Sequence, residues 1–586
     1  MRVIGISGLE NSMPFKKARF PGLEEREYRI TQGMDAAAAL VIDGKLVAAA
    51  EQERFNREKA TGKFPIDAIR FCLAQAGLTI DDIDEIAHGF DYSPYRDLYT
   101  QDEVSSELYK KVFSRDALLE QVRRDLPGFP EEKVHFVGHH MAHAASAAYT
   151  SGWDECLIVV NDAMGEIESL SVYDFHDGKI EKIRTIGAND SIGILYSLVT
   201  LHLGFDFNSD EYKIMGLAPY GDPSRFRDFF EQAVELRDDG SFRIPILKLN
   251  KTREERENYT ATRAYLDEHL IPRRLPAQSV SSIHEDVAAA LQECLERVVI
   301  HVCEHFGNET GLRRLALAGG VALNCTANGK LFRSGLFDEV YVQPVAGDDG
   351  VALGAALYRT SLTLPMPNHR LPAPLFGPQY TAADIEAALH RFEGNVQWRN
   401  LGSLEATCES AARLIADGRV IAWLRGRMEY GPRALGNRSI LADPGHPEMR
   451  DRINAMVKKR EAFRPFAPAC AVEEAHRWFE VPQGSEFPYM ISIVNVRPEV
   501  RNLLPAITHV NGSARLQTVS VQDNPDFHAL LESVGKTTGR QMVLNTSFNV
   551  KGQPIVNTPD EAIETFLGTG IEFLFLENFH VTRTVA

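Results

Sequence analysis

Apolar and polar positions along the chain fall into blocks with the two-residue period of strands or the longer period of helices. Residues 1–6 form an apolar run and predict a first strand. Two more apolar runs, 36–42 and 45–50, flank Asp43-Gly44, the pair that closes a type I′ hairpin turn. A helix is predicted over 65–77, a strand over 85–89, a helix opening near Gly138, and a strand over 156–160. The succession then returns. A hairpin over 170–175 and 180–186 turns at Asp177-Gly178, helices follow over 192–203 and 283–306, strands at 314–318 and 340–342, and a helix over 350–360. Residues 8–33 are polar and mixed, show neither period, and predict a long loop.

Two hairpin-plus-α/β halves around a cleft predict an α/β fold of the actin-like ATPase type. Pro365, Pro367, Pro372, Pro374 and Pro378 then mark a stiff linker. About 200 residues remain for a second α/β domain, with a helix over 404–417 and strands over 419–424 and 541–544.

The chemistry starts at 137–148, VGHHMAHAASAA. Its alanines favour a helix, and on a helix His139 and His143 share one face, able to meet one metal ion. His140 lies between them, about 100° round the helix. The strand over 156–160 runs into Asn161-Asp162, and the strand over 340–342 leads to a loop holding Asp348-Asp349-Gly350. Two histidines with carboxylates at strand ends make a mixed N/O donor set suited to Fe(II), Mn(II) or Mg(II).

Composition narrows the partners. The 586 residues carry a formal net charge of -18, which disfavours nucleic acid and membrane surfaces. Seven scattered cysteines without a CxxC pair fit a reduced, cytoplasmic setting. No apolar run reaches the length of a membrane span. Within this acidic chain, Arg425, Arg427, Arg433, Arg438, Lys458, Lys459, Arg460, Arg464 and Arg515 concentrate in the second domain, as expected for a small phosphorylated anion. Gly431-Pro432 aims Arg433, and Asn545-Thr546-Ser547 offers amide and hydroxyl groups at a strand end. Gly319-Gly320 after a strand lets backbone approach a nucleotide, and the chain has no P-loop motif. Lys59, in the charged stretch 51–63, is a candidate phosphate contact.

The motifs HHMAHAASAAY, VVND, EYKIMGLAPYG, LALAGGVALNCTANGKL, GDDGVALGAAL, GPRALGNRS, REAFRPFAP and LNTSFNVKGQPIV resemble, in order and over nearly the whole chain, the O-carbamoyltransferases of antibiotic and nodulation-factor biosynthesis. The resemblance implies an actin-like domain of duplicated ribonuclease H-like (ASKHA) type over 1–362, a linker over 363–378, and a YrdC-like α/β domain over 379–586. It implies that carbamoyl phosphate and ATP, with Mg(2+), form a carbamoyl adenylate in the second domain. The first domain then passes the carbamoyl group to the hydroxyl of a small-molecule acceptor. By resemblance, His139, His143, Asp162 and Asp348 hold the metal, Fe(2+) ahead of Mn, Mg or Zn. Asp348 is preferred to Asp349 because it matches the family's Asp-x-Gly. Lys59, Gly319, Gly320 and Asn324 match the nucleotide or carbamoyl-adenylate pocket. Arg433, Arg464, Arg515 and Asn545, with Lys459 and Lys551, match the carbamoyl phosphate and ATP site.

The chain departs from the family's pattern at Met34-Asp35, where a His-Asp pair is usual. Asp35 or His140 is then expected to assist catalysis beside Asp348. Lys551 stands where an arginine is common. A transferase of the tRNA threonylcarbamoyl type and a non-enzymatic actin-like scaffold are the alternatives, and a homodimer is left open.

Overall fold

Asp43 and Gly44 both take positive φ, 48° and 79°, and so close the I′ turn between β2 (Ala37–Ile42) and β3 (Lys45–Glu51). The computed structural model that shows this describes residues 1–458, 461 and 463–584. It divides into two compact units, Met1–Glu53 with Ala60–Leu371, and Arg54–Lys59 with the chain from Pro372 onward.

In the first unit β1 (Arg2–Ile6) runs antiparallel to β2 and parallel to β4 (Glu85–His88), which is parallel to β5 (Val134–Phe136). The sheet order is β3-β2-β1-β4-β5. A second sheet starts from β6 (Glu155–Asn161), β7 (Glu168–His176) and β8 (Lys179–Gly187), successively antiparallel. After a short ribbon, β9 (Glu235–Leu236) and β10 (Phe242–Arg243), it is completed by β11 (Arg314–Ala318) and β12 (Glu339–Val342), which extend it in parallel from β6. Its order, β12-β11-β6-β7-β8, is the first sheet's order read from the other edge, with the same strand directions. The repeat is the duplicated ribonuclease H-like architecture of the actin type.

Two helices bring the site together. The His139–Ser151 helix is buried at every residue but Met141, so its apolar and small residues extend all round it. The Asp348–Ser361 helix lies between it and β1. Two glycines make this closeness feasible: a Cβ on Gly354 would stand 1.8 Å from Ala142 O, and one on Gly5 1.8 Å from Ala352 O. Gly354→Ala should therefore force the helices apart and cost on the order of 1–3 kcal/mol. A lowered thermal unfolding midpoint checks this, and an unchanged one would show that the pair can separate freely.

Two expectations need correction. Residues 8–33 are not one long loop, since they contain helices Ser12–Arg19 and Glu25–Tyr28. Tertiary contacts hold them. Lys16, 1% exposed, donates to Glu257 O, and burial pushes its ammonium down to about 8. Arg29 donates to Phe207 O and Asn208 O, both at 3.0 Å. Asp348, expected in a loop, is instead the first residue of its helix, where a carboxylate complements the helix dipole.

The second unit is built on one mixed sheet, formed from β13 (Val396–Asn400), β14 (Ile421–Leu424), β15 (Arg438–Ala442), β16 (Ala467–Ala471), β19 (Gln517–Val519), β20 (Met542–Ser547), β21 (Phe573–Leu576) and β22 (Phe579–Arg583). β17 (Ile493–Asn495) and β18 (Ser513–Arg515) form a separate pair. The order β13-β22-β21-β14-β15-β20-β16-β19 puts β20 between antiparallel neighbours β15 and β16, with β19 parallel to β16. The starts of β15, β16 and β19 and the end of β20 thus share one end of the sheet. The unit boundary falls inside the proline-rich stretch. Leu371 N–H bonds Thr150 O in the first unit, and Gly377 N–H bonds Met428 O in the second.

Candidate functional site

The first turn of the His139–Ser151 helix, the end of β6 and the start of the Asp348–Ser361 helix place His139, His143, Asp162 and Asp348 together. One donor atom from each lies within 4.8 Å of all the others. His139 Nε2 is the hub, 3.1 Å from His143 Nε2 and 3.4 Å from both Asp162 Oδ2 and Asp348 Oδ1. His143 Nε2 stands 3.8 Å from Asp348 Oδ1. Both histidines are fully buried, and the Asp348 side chain, 23% exposed, is the open edge.

The surroundings orient these donors. His139 Nδ1 is 3.1 Å from Gly89 O, which can only accept, so Nδ1 carries a proton and Nε2 faces the cluster. Phe90 stacks on the His139 ring at 4.1 Å. Asp162 Oδ1 accepts from Gly320 N–H at 3.0 Å, leaving Oδ2 for the cluster. Glu166 Oε1 accepts from the backbone N–H of His139 at 2.9 Å and of Asp91 at 2.7 Å, which anchors the helix start. Gln32, in the 8–33 segment, donates to Met164 O and Gly165 O and accepts from Tyr92 OH, so it holds the turn after Asp162.

The protons are unequally held. Burial opposes charge on His139, but Asp348 and Asp162 outweigh it and raise its pKa well above the ordinary histidine value. Burial, reinforced by the charge on His139, pushes His143 down to about 3. Burial works against the Asp162 carboxylate, yet the His139 hydrogen bond and the nearby imidazoles hold it far below the usual carboxylate range. Burial raises Asp348. Two inward imidazole nitrogens 3.1 Å apart, facing two carboxylates, make a donor set that fits a divalent cation.

His140 turns away from this group. Its Nδ1 is 2.8 Å from Ser171 Oγ, which donates to Glu168 Oε2 at 2.6 Å, and Lys182 donates to Glu168 Oε1 at 2.6 Å. Asp35 has φ 61° and lies near Asp349 and Glu51. Burial, with the charges of Glu51 and Asp35, raises the Asp349 carboxyl well above its usual value. Asp349 Oδ1 accepts from Gly350 N–H, so Asp348, not Asp349, faces the histidines.

Gly319 takes φ 89°, and a Cβ there would meet Asn161 O at 2.3 Å. Asn324 caps the Cys325–Ser334 helix and exchanges two amide hydrogen bonds with Gln292. Lys59 is exposed and belongs to the Arg54–Lys59 segment that clusters with the second unit.

In the second unit several cations are already engaged. Arg438 is fully buried and donates to the carbonyls of Gly426, Asn437 and Pro378. Arg425 pairs with Asp526 at 2.6 Å, Arg427 donates to Phe376 O, and Lys458 donates to Asn549 O and Oδ1. These four hold the fold. Arg433 precedes β15, Arg464 precedes β16, Arg515 precedes β19 and Asn545 lies near the end of β20, so the topology gathers them at one end of the sheet. Lys551 is exposed just beyond β20. Lys459 lies outside the described residues.

Comparison with known proteins agrees with this layout. The family model described as the carbamoyltransferase N-terminus matches residues 30–357, and that described as the carbamoyltransferase C-terminus matches residues 412–583. Nodulation protein NolNO of Sinorhizobium fredii is 41% identical over 563 residues, which is 94% of this chain and 79% of that protein. Nodulation protein NolO of Bradyrhizobium diazoefficiens is 42% identical over 453 residues, 77% of this chain and 79% of that one. The 3'-hydroxymethylcephem-O-carbamoyltransferase of Streptomyces clavuligerus is 36% identical over 249 residues, 42% of this chain and 45% of that enzyme.

Proposed function

We propose, for a chain that belongs to the carbamoyltransferase family and so is a carbamoyl-transferring enzyme, that it carbamoylates a hydroxyl of a small-molecule acceptor at the His139, His143, Asp162 and Asp348 cluster. The observation that carries the reading is the convergence of those four side chains on one point. A divalent cation held there, Fe(II) first and Mn(II), Mg(II) or Zn(II) after it, would supply Lewis-acid polarisation of a substrate oxygen.

The chain's own residues do the rest. Gly89 O and Glu166 fix the His139 ring and its helix start, so the site needs little reorganisation when substrate arrives. Asp348, at the open edge, is placed to take up the proton of the acceptor hydroxyl, with Asp35 assisting; His140, turned onto Ser171, is not placed to share that role. The carbamoyl donor arrives as carbamoyl adenylate. In the second unit, carbamoyl phosphate, water and ATP give carbamoyl adenylate, phosphate and pyrophosphate, with Arg433, Arg464 and Arg515 neutralising the anions. Met34, 7% exposed and next to Asp35, together with the folded 8–33 segment tunes the choice of acceptor.

Pyrophosphate release from ATP tests the donor half. Release should require carbamoyl phosphate. Release indifferent to it, or none, would overturn the adenylate route.

A further inference from the structure

We propose that Asn545, held by Gln517, recognises the amide –NH2 of the carbamoyl donor rather than its phosphate, and so rejects acyl phosphates that lack an N–H. This rests on the reading that the second unit takes carbamoyl phosphate.

Asn545 is 1% exposed. Its amide has two N–H groups, and both are engaged: Nδ2 donates to Ala434 O at 3.2 Å and to Gln517 Oε1 at 2.9 Å. Its Oδ1 is equally buried and accepts no hydrogen bond among the described residues. Asn and Gln amides can be placed either way round, so the orientation needs a reason. Two backbone carbonyls supply it. Gln517 Nε2 donates to Leu435 O at 2.8 Å, so Gln517 Oε1 must face Asn545. Ala434 O also only accepts, so Asn545 must turn Nδ2 toward both. Flipping either amide would set oxygen against oxygen.

The one valence left on Asn545 is therefore an acceptor. The phosphoryl group of carbamoyl phosphate, as its dianion, presents only acceptors and would be repelled by it. The carbamoyl –NH2 carries the only N–H donors on carbamoyl phosphate, and a buried acceptor without a partner fits one of them.

The neighbouring loop sharpens this division of labour. Glu429 Oε1 accepts from the backbone N–H groups of Leu435, Asn437 and Arg438 at 2.7, 2.8 and 3.2 Å. Those amides are thus unavailable to a phosphate. Glu429 holds the amide side of the 434–438 turn while Asn545 and Gln517 hold two of its carbonyls, so the turn is fixed from both sides. Arg433 immediately precedes the turn. Charge on the donor is left to Arg433, Arg464 and Arg515, and the identity of the group attached to it is left to Asn545.

The test compares carbamoyl phosphate with acetyl phosphate, which has the same charge and a methyl in place of –NH2, in pyrophosphate release from ATP by the full-length enzyme. The wild type should favour carbamoyl phosphate in kcat/KM by about 100-fold or more, because an analogue lacking the N–H leaves a buried acceptor unpaired. Asn545→Leu should erase most of that preference while the inhibition constant of inorganic phosphate stays within about threefold. Gln517→Met, which removes one of the two acceptors that orient the Asn545 amide, should also lower the preference without weakening phosphate, and it serves if the first variant does not fold. Equal use of both donors by the wild type would overturn the assignment. So would a loss of phosphate inhibition in step with carbamoyl phosphate in either variant, which would make Asn545 a phosphate ligand or a merely structural residue. Absence of any carbamoyl-phosphate-dependent release by the wild type would instead overturn the donor reading itself, and this inference with it.

Discussion

His139→Ala should strip the divalent cation from the first unit and abolish carbamoyl transfer, with folded protein still recovered. His139 Nε2 stands 3.1, 3.4 and 3.4 Å from the three other donors, so its loss removes the centre of the set and not one corner of it. Losing even an outer partner of a ligand typically costs 10–100-fold in metal affinity or activity, so losing this ligand should lower retained metal by at least about tenfold. The fold should survive because the helix is anchored elsewhere. Glu166 accepts from the backbone N–H at position 139, which alanine keeps. The contact of Gly354 with Ala142 lies one turn further on. Elemental analysis after gel filtration, circular dichroism and product formation with supplied carbamoyl adenylate make the three readings. Unchanged metal content and turnover would sink the assignment of the cluster.

What the sequence made legible follows from the range of each signal. The two hairpins were readable because Asp-Gly pairs act within four residues, and Asp43, Gly44, Asp177 and Gly178 all take the positive φ that the turn demands. The His139 and His143 pairing was readable because a helix fixes the i,i+4 geometry locally. Asp348 was misread as a loop residue because apolar periodicity begins only after Gly350, although two aspartates at a helix start suit the dipole.

The rest depended on partners distant in sequence. The helices within residues 8–33 are short, and they are held by a buried lysine on Glu257, 241 residues away, which no local pattern announces. Glu166 anchors His139 from 27 residues away, and Asn324 meets Gln292 from 32. The arginine concentration was visible in the second unit, but the use of each cation was not. Arg438 and Arg433 sit five positions apart in one motif; one is sealed among carbonyls and the other stands half-buried at the sheet end.

Arg433→Ala should remove adenylate formation and spare the transfer step. The side chain directly precedes a turn whose backbone is fixed by Glu429 on one side and by Asn545 and Gln517 on the other. A guanidinium presented from so rigid a base meets an anion with little reorganisation. Loss of a charge-assisted phosphate contact in a partly desolvated site costs on the order of 2–5 kcal/mol, a fall of about thirtyfold to several thousandfold in kcat/KM for pyrophosphate release. The turn's hydrogen bonds at Ala434, Leu435, Asn437 and Arg438 use backbone groups that alanine at 433 keeps. The metal-site residues all belong to the first unit, and their donors are oriented by Gly89, Gly320 and Glu166 of that same unit. Supplied carbamoyl adenylate should therefore be used by Arg433→Ala within about threefold of the wild-type rate, as expected when the change shares no partner with the transfer site. A variant that fails with carbamoyl phosphate and ATP but works with the adenylate separates the two half-reactions. Loss of both would mean that Arg433 serves the transfer step as well, and the division of labour between the units would fall.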